Sequence, residues 1–171
     1  MKSLFTPWRY SYLVQEKPMS SCVLCDALSN AEREDSLLVY RGASNFVILN
    51  LYPYTNGHMM IVPNDHVASP SASTAAQRAE LIDLAAACET ALRESYGADG
   101  INMGMNLGRA AGAGIEAHYH LHVLPRWEGD TNFMAVTAET RIIPEDLQLT
   151  RARLRRALQE RLGSERSQRR G

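Results

Sequence analysis

The chain has 171 residues, 45% of them hydrophobic and 22% charged, which is enough for one domain with a substantial core. Its formal net charge of −1 provides no general attraction to polyanions, so we expect no nucleic-acid and no membrane partner. The N-terminus has no long apolar region and no stretch approaches the ~18 consecutive apolar residues of a membrane span, which predicts neither a secretory signal nor a membrane helix.

The N-terminal residues 1–21 predict irregular structure, and a Cys-x-x-Cys motif follows them at Cys22 and Cys25. Such a pair is compatible with a redox dithiol, with half of a zinc site, or with two buried thiols. The chain holds three cysteines in all, and an odd number without a signal peptide indicates a reducing compartment. We therefore expect a cytoplasmic protein without disulfide bonds. The polar run 29–36 predicts a surface loop.

Three short strands are predicted next, at residues 37–40, 46–51 and 58–63. Between the second and the third lies Asn56-Gly57, a dipeptide typical of tight β-hairpins. These two strands should therefore pair antiparallel.

A long helix is predicted from the N-cap candidates at residues 69–74 to about Tyr96. Its apolar positions follow the spacing of one buried stripe, which consists of Leu81, Leu84, Ala85, Cys88 and Leu92. Cys88 is therefore interpreted as a core residue. Gly97 and Gly100 mark the end of the helix, and residues 101–107 predict a further strand.

A C-terminal helix should begin near Pro144 and end at Gly163. Residues 1–163 are then expected to form a single domain, with 164–171 as a disordered basic tail. The segment 151–171 contains eight arginines and two glutamates, so it carries +6 and the rest of the chain −7. Such a segment can bind nucleic acid, but a solvated helix face with a frayed end is the interpretation we favour.

Three histidines alternate with apolar residues at His118, His120 and His122. This alternation predicts a strand that places all three rings on one face and the apolar residues Tyr119, Leu121 and Val123 on the other. A glycine-rich loop at 107–114 precedes the strand, and its amides could approach a phosphate closely. The pattern favours phosphate chemistry, although structural histidines and a metal site remain alternatives.

About five antiparallel strands, one long helix packed against them and a C-terminal helix make an α+β domain. The sequence His118-Tyr-His120-Leu-His122-Val-Leu resembles the signature of the histidine triad (HIT) family of nucleotide hydrolases and transferases. The resemblance includes the segments 46–63 and 102–108, and it covers most of residues 8–143. Within the family, the chain is most similar to the bacterial diadenosine-polyphosphate phosphorylase and hydrolase branch. The family's architecture implies the same α+β fold and a homodimer joined edge to edge through its sheets.

The resemblance implies a nucleotide hydrolase or nucleotidyl transferase that cleaves dinucleoside polyphosphates through a covalent intermediate on His120. Catalytic roles are then expected for His120 as the nucleophile, for His122 as a phosphate or leaving-oxygen partner, and for His58 beside them. The implied substrate-binding residues are Asn50 for the ribose, Asn106 for the α-phosphate, amides at Gly112, Gly114 and Ile115, and Trp127 for the base. The common family pattern has Gln-Ser/Thr where this chain has Gly114-Ile115, so main-chain amides must supply those contacts. The acceptor is either water or inorganic phosphate.

Zinc-containing members of the family place metal ligands at positions that match Cys22, Cys25, His66 and His118. Four such ligands would form a closed, structural zinc site that leaves His120 unligated. No organic cofactor is expected. The alternative to zinc is two thiols and a surface imidazole.

Two further functions remain open from the sequence. A nucleotide-binding sensor or scaffold would bind a mononucleotide without forming a covalent intermediate. A zinc-dependent hydrolase would use the triad as ligands of an open metal site, and chelation would then abolish its activity without unfolding it.

Overall fold

A computed structural model describes residues 22–130 and 145–168, with side-chain surroundings up to residue 163. The predictions for residues 1–21, for Pro144 and for residues 169–171 lie outside this part. The helices are α1 (Val23–Ser29), α2 (Ala75–Tyr96) and α3 (Leu147–Gln168), and the strands are β1 (Leu38–Arg41), β2 (Asn45–Leu49), β3 (Met59–Pro63), β4 (Gly100–Gly104) and β5 (Leu121–Arg126). Short 3-10 turns lie at Pro70–Ala72 and Arg109–Ala111.

The five strands form one antiparallel sheet in the order β1-β2-β3-β5-β4, which confirms the predicted α+β class. β2 and β3 pair antiparallel as predicted, with Leu49 opposite Met59 and Asn45 opposite Pro63. Their connection spans residues 50–58, so Asn56-Gly57 forms a turn within a longer loop and not a tight hairpin. β5 lies between β3 and β4, with His122 paired to Met60 on one side and to Gly104 on the other. β4 is therefore an edge strand, and the histidine segment enters the middle of the sheet.

A separate apolar cluster packs on each face of the sheet. The larger cluster lies under α2 and α3 and includes the predicted inward-facing residues Tyr119, Leu121 and Val123. The smaller cluster lies on the opposite face, where α1 contributes Leu24 next to Phe46 and Met60. Because His122 pairs directly with Met60, its side chain belongs to this second face. The alternation predicted from the sequence is confirmed by this division.

Helix α2 has strong sequence signals at both ends. Thr74 and Gln77 form a reciprocal capping box, and Gly97 closes the helix with φ of 59° in the left-handed region. The five predicted stripe residues are all buried. Cys88 is fully buried, and burial raises the pKa of its thiol to about 12, so the prediction of a core residue is confirmed.

Helix α3 is anchored to the end of α2 through the carboxylate of Glu145. Its Oε2 accepts hydrogen bonds from the hydroxyls of Tyr96 at 2.5 Å and Thr150 at 2.8 Å, and Arg153 donates to Oε1 at 2.7 Å. Burial and the neighbouring carboxylate raise the pKa of Tyr96 to about 12, which keeps its hydroxyl a donor. The C-terminal helix is thereby held to the sheet and α2.

The predicted end of this helix at Gly163 is wrong, because α3 continues to Gln168. A single glycine inside a helix costs only about 1 kcal/mol, and the glutamate, arginine and glutamine that follow favour helix. The prediction that residues 1–163 form one domain stays a prediction.

The strand predicted over the whole histidine triad is also too long, because β5 begins at Leu121. In the register of β3 and β5, the position opposite Tyr119 is occupied by Pro63, which has no N–H to donate. The carbonyl of Pro63 accepts from Nε2 of His118, and the amide N–H of Tyr119 donates to the carbonyl of Val67 at 2.9 Å. His118 and His120 therefore lie in extended chain just before the strand.

Two further boundaries differ from the prediction. The strand expected over 101–107 is instead Gly100–Gly104, and its last residue pairs with His122 near the start of β5. The segment around Cys25 forms helix α1, which the Cys-x-x-Cys motif by itself does not indicate. No helix in the described ranges is long and apolar enough to cross a membrane.

Candidate active site and metal site

The imidazole of His120 is held by the main chain of the first triad histidine. Its Nδ1 lies 3.1 Å from the carbonyl oxygen of His118. A carbonyl only accepts, so Nδ1 carries the proton and the lone pair lies on Nε2. His120 is only 7% exposed, and burial lowers its pKa although the bond to the carbonyl raises it. The ring is thus a neutral imidazole with an available nitrogen, as a nucleophile requires.

A second imidazole network lies beside this ring. Nε2 of His58 is 2.9 Å from Nδ1 of His122, and the ring centroids of His120 and His122 lie 4.8 Å apart at 79°. The three rings predicted to be catalytic are therefore brought together on the second face of the sheet.

The protons in this network can be assigned from the main chain. The amide N–H of Tyr54 donates to Nδ1 of His58 at 3.2 Å, so Nδ1 must be the acceptor and Nε2 must carry the proton. His58 then donates from Nε2 to Nδ1 of His122, which leaves the remaining proton of neutral His122 on its Nε2. The site therefore offers one basic nitrogen, on His120, and one N–H donor, on His122.

Asn50 contributes to the orientation of His58. Its side-chain amide nitrogen lies 3.3 Å from Nδ1 of His58, and its Oδ1 accepts the amide of Tyr52 at 2.9 Å. Both ends of the side chain therefore contact the protein, and its contact with His58 gives it an orienting role. The ribose-binding role stays a prediction.

Sequence reasoning missed Tyr54, whose ring centroid lies 4.9 Å from that of His58 and 6.3 Å from that of His122. A usable signal was present, since Tyr54 lies four residues before His58 in a hairpin turn that must fold back on the strand.

The four predicted metal ligands converge at the other side of His118. One ligand atom from each of Cys22, Cys25, His66 and His118 lies within 4.8 Å of all the others. The sulfur–nitrogen separations are 3.3 Å for Cys25 and His66, and 3.5 Å from either sulfur to Nδ1 of His118. A zinc tetrahedron with Zn–S of about 2.3 Å and Zn–N of about 2.0 Å has sulfur–nitrogen edges of about 3.5 Å. The cluster therefore fits a tetrahedral metal.

The orientation of His118 supports the same interpretation. Its Nε2 donates to the carbonyl of Pro63 at 2.9 Å, which leaves Nδ1 as the lone-pair nitrogen that faces the two sulfurs. The ring is fully buried, and burial lowers its pKa, so it is neutral as a metal ligand must be. Of the three triad histidines, only His118 belongs to this cluster.

The glycine-rich loop forms a compact turn between β4 and the triad. The amides of Gly112 and Ala113 already donate within the loop, to the carbonyls of Arg109 at 2.9 Å and Gly108 at 3.2 Å. A phosphate cradle would therefore have to use the later amides, at Gly114 and Ile115. Ile115 packs against the apolar cluster of the histidine face, so this end of the loop lies on the correct side of the sheet.

The remaining two predicted residues lie in different places. Asn106 lies two residues after β4, and the last residue of that strand, Gly104, pairs with His122. The phosphate-binding role of Asn106 stays a prediction. Trp127 follows the far end of β5, roughly 16 Å along the strand from His122, and its indole donates to the carbonyl of Tyr96 at 3.1 Å. Its base-stacking role stays a prediction, and its position within one protomer does not support it.

Comparison with known proteins by family profile and by sequence points to the same family. The HIT domain profile matches residues 31–129. A Mycobacterium tuberculosis protein named AP-4-A phosphorylase is 35% identical over 158 residues, which cover 88% of this chain and 81% of that protein.

Two solved structures have the same fold. A zinc-bound histidine triad family protein from Mycobacterium smegmatis superposes with a TM-score of 0.68 at 30% identity, covering 84% of this chain and 97% of the other. A hypothetical histidine triad nucleotide-binding protein from Sulfolobus tokodaii gives a TM-score of 0.67 at 25% identity, covering 81% and 93%.

Proposed function

Because the chain belongs to the histidine triad (HIT) family, we propose that it cleaves dinucleoside polyphosphates by nucleotidyl transfer through His120. The observation that carries this proposal is the different protonation of two neighbouring imidazoles. Nε2 of His120 carries a lone pair, and Nε2 of the adjacent His122 ring carries a proton. One attacks phosphorus and the other donates to the oxygens on which charge grows. The named phosphorylase relative supports diadenosine tetraphosphate as the substrate.

In the first step, His120 Nε2 attacks the α-phosphorus as the bond to the bridging oxygen breaks. The electron pair of that bond leaves with the polyphosphate, and the N–H of His122 stabilises the developing negative charge. The carbonyl of His118 fixes the ring of His120 and stabilises its positive charge in the intermediate. His58 and the amide of Tyr54 keep His122 in the donor tautomer.

In the second step, the acceptor attacks the same phosphorus and the electron pair of the N–P bond returns to His120. Water gives a mononucleotide, whereas inorganic phosphate gives a nucleoside diphosphate. Contacts to the α-phosphate from Asn106 and from the amides of Gly114 and Ile115 are part of the proposal. Their support is the place of Asn106 two residues after β4, whose last residue Gly104 pairs with His122, and the packing of Ile115 on the histidine face.

We infer that Cys22, Cys25, His66 and His118 hold a structural zinc. The sulfur–nitrogen separations and the bond from His118 to Pro63 support this, and so does the zinc-bound M. smegmatis relative. Bound zinc would supply a fixed crosslink between α1, the end of the β2–β3 hairpin and the triad segment. A triad-ligated zinc hydrolase is not favoured, because His120 and His122 lie outside the ligand cluster.

We also infer a homodimer joined along the edge strand β4, and a cytoplasmic location. β4 exposes its outer edge, and the adjoining residues Met103 and Leu107 are 43% and 44% exposed. Met103→Lys should convert the dimer to monomers in light-scattering measurements, whereas Ile82→Lys on the outer face of α2 should not. The free cysteines of the described chain are compatible with a reducing compartment.

The test of the main proposal is product analysis combined with trapping of the intermediate. Diadenosine tetraphosphate labelled at the α-phosphorus should yield a labelled, acid-labile nucleotidyl-protein with the wild type and none with His120→Ala. ADP plus ATP formed only with added phosphate would identify a phosphorylase, and AMP plus ATP formed without phosphate a hydrolase. Binding of mononucleotide with neither turnover nor label would refute the proposal and favour a sensor.

A further inference from the structure

The loop between β4 and the triad contains only two ionisable side chains, Arg109 and Glu116. They are bonded to each other, with Nε of Arg109 donating to Oε1 of Glu116 at 3.0 Å. The ion pair therefore joins the first turn of the loop to its last residues, directly before the triad.

This loop borders the histidine face at both of its ends. At its start, Gly104 pairs with His122 in the sheet. At its end, Ile115 packs on the apolar cluster that shares the face with His122. Arg109 sits between these points on a 3-10 turn entered from Gly108, whose φ of 78° puts the backbone in a conformation that favours glycine. The turn thus carries Arg109 within a loop whose two ends both border the proposed active site.

The guanidinium is held only weakly by its partner. The side chain of Arg109 is 91% exposed and that of Glu116 is 47% exposed, and exposed ion pairs of this kind contribute little to stability. A polyphosphate offers a guanidinium several charged oxygens in a bidentate arrangement, which is a stronger partner than one solvated carboxylate. Arg109 can therefore exchange Glu116 for a phosphate group at small cost.

The chemistry determines which phosphate that would be. In-line attack by His120 expels the leaving group on the side of phosphorus opposite to Nε2, and the acceptor must then attack from that same side. One cation in this loop can serve both groups in turn. We propose that Arg109 binds the leaving polyphosphate and then inorganic phosphate, so that it favours phosphorolysis over hydrolysis, with Glu116 holding it between turnovers.

This inference depends on the proposed function. The bonds, electron pairs and protons of the two transfer steps balance as follows. With diadenosine tetraphosphate, the Nε2–P bond of His120 forms as the P–O bond to departing ATP breaks, and ATP keeps the electron pair. An oxygen of hydrogen phosphate then forms the new P–O bond while the N–P electrons return to His120. The proton of hydrogen phosphate stays on the terminal phosphate of the ADP produced, so no further reactant is consumed.

The test separates the two phosphate-binding events with two substrates. Diadenosine tetraphosphate has a charged leaving group, whereas adenosine 5′-phosphoramidate transfers the same AMP group and releases ammonia. We expect Arg109→Gln to lower kcat/KM for diadenosine tetraphosphate by about 10- to 100-fold and that for phosphoramidate hydrolysis by less than about 2-fold. With phosphoramidate and added phosphate, the ratio of ADP to AMP should fall about 10-fold, and Arg109→Lys should restore part of it.

The matched control is Arg156→Gln, which removes an arginine that is 82% exposed and bonded to Glu160 on α3. It should leave both kcat/KM and the ADP to AMP ratio unchanged. Equal losses on both substrates with Arg109→Gln, or an unchanged ratio, would overturn the role of Arg109. A wild type that forms no ADP from phosphate would overturn its acceptor role. Failure of the wild type to form a nucleotidyl-His120 would instead refute the proposed function, so the two failures are distinguishable.

Discussion

The proposed metal site and the proposed catalytic site share one short segment, to which His118 and His120 belong. The two sites use the nitrogens of these imidazoles differently. At the metal cluster, His118 has one nitrogen bonded to Pro63 and the other directed at the sulfurs, so both are committed. At the proposed catalytic face, His120 has one nitrogen bonded to the main chain, and the other is its lone-pair nitrogen. The difference shows that function follows from which ring nitrogens the fold occupies, and not from the number of histidines.

The largest effect should follow from removing the available nitrogen. His120→Ala should lower kcat for diadenosine tetraphosphate by about 10⁴- to 10⁶-fold, because the neighbouring ring of His122 presents an N–H and not a lone pair. Its melting temperature should stay within a few degrees of the wild type, since the metal ligands are intact. Steady-state kinetics and thermal unfolding monitored by circular dichroism measure the two quantities. Residual cleavage within 10-fold of the wild type would show that another group attacks phosphorus.

The donor side of the catalytic face should have a smaller effect. His122→Ala removes one N–H aimed at the reacting phosphate, and loss of one such donor typically lowers kcat by about 10²- to 10³-fold. The nucleotidyl-His120 should still form, and rapid-quench labelling would detect it. Complete absence of the intermediate in this variant would assign His122 a role beyond stabilising charge.

Substitutions in the metal cluster should lower the melting temperature more than they lower kcat, the reverse of what is expected at His120. His66→Ala or Cys25→Ser opens the ligand set, and loss of about 3 kcal/mol would lower the melting temperature by roughly 6–12 °C for a domain of this size. Chelation should reproduce this shift in the wild type and add nothing in the variant. The metal content of the purified protein, measured by emission spectrometry, should fall in parallel. A full loss of activity without a loss of stability would indicate a catalytic metal and break the contrast between the two sites.

The smallest effect is expected at a position outside both sites. Although partial burial opposes it, hydrogen bonds from Tyr96 and Thr150 and the charge of Arg153 hold the pKa of Glu145 below its usual value. A depressed carboxyl pKa stabilises the fold above the unfolded pKa of about 4.3, and the contribution is lost as the pH falls through the folded value. Glu145→Gln should therefore cost about 1 kcal/mol at pH 7 and nothing near pH 2, in urea unfolding. Its kcat should equal that of the wild type.

Much of the scaffold could be predicted because its signals are local. The Asn56-Gly57 turn, the apolar stripe of α2 and its glycine terminus each depend on neighbours along the chain. The end of the triad strand could not be predicted in this way. It depends on Pro63 meeting Tyr119 across the sheet, and that register exists only once the strands pair.

The site shows the same division between local and long-range information. The alternating histidines predict which face of the sheet carries the proposed active site, and the four predicted metal ligands do converge in one cluster. The positions of the imidazole protons cannot be predicted from the sequence, because they depend on the amide of Tyr54 donating to Nδ1 of His58 in the folded turn. The bond from Asn50 to His58 is missed for the same reason, since a sequence gives the type of a polar side chain but not its partner.

Among the four predicted metal ligands, His118 is the hardest to replace. Its Nδ1, its Nε2 and its carbonyl oxygen each serve a different partner. A cysteine at this position would retain a metal ligand but leave the carbonyl of Pro63 without its donor in a buried setting, and an asparagine would do the reverse. No other amino acid satisfies both demands at once, so a change of metal preference at the proposed site has to be engineered at Cys22, Cys25 or His66.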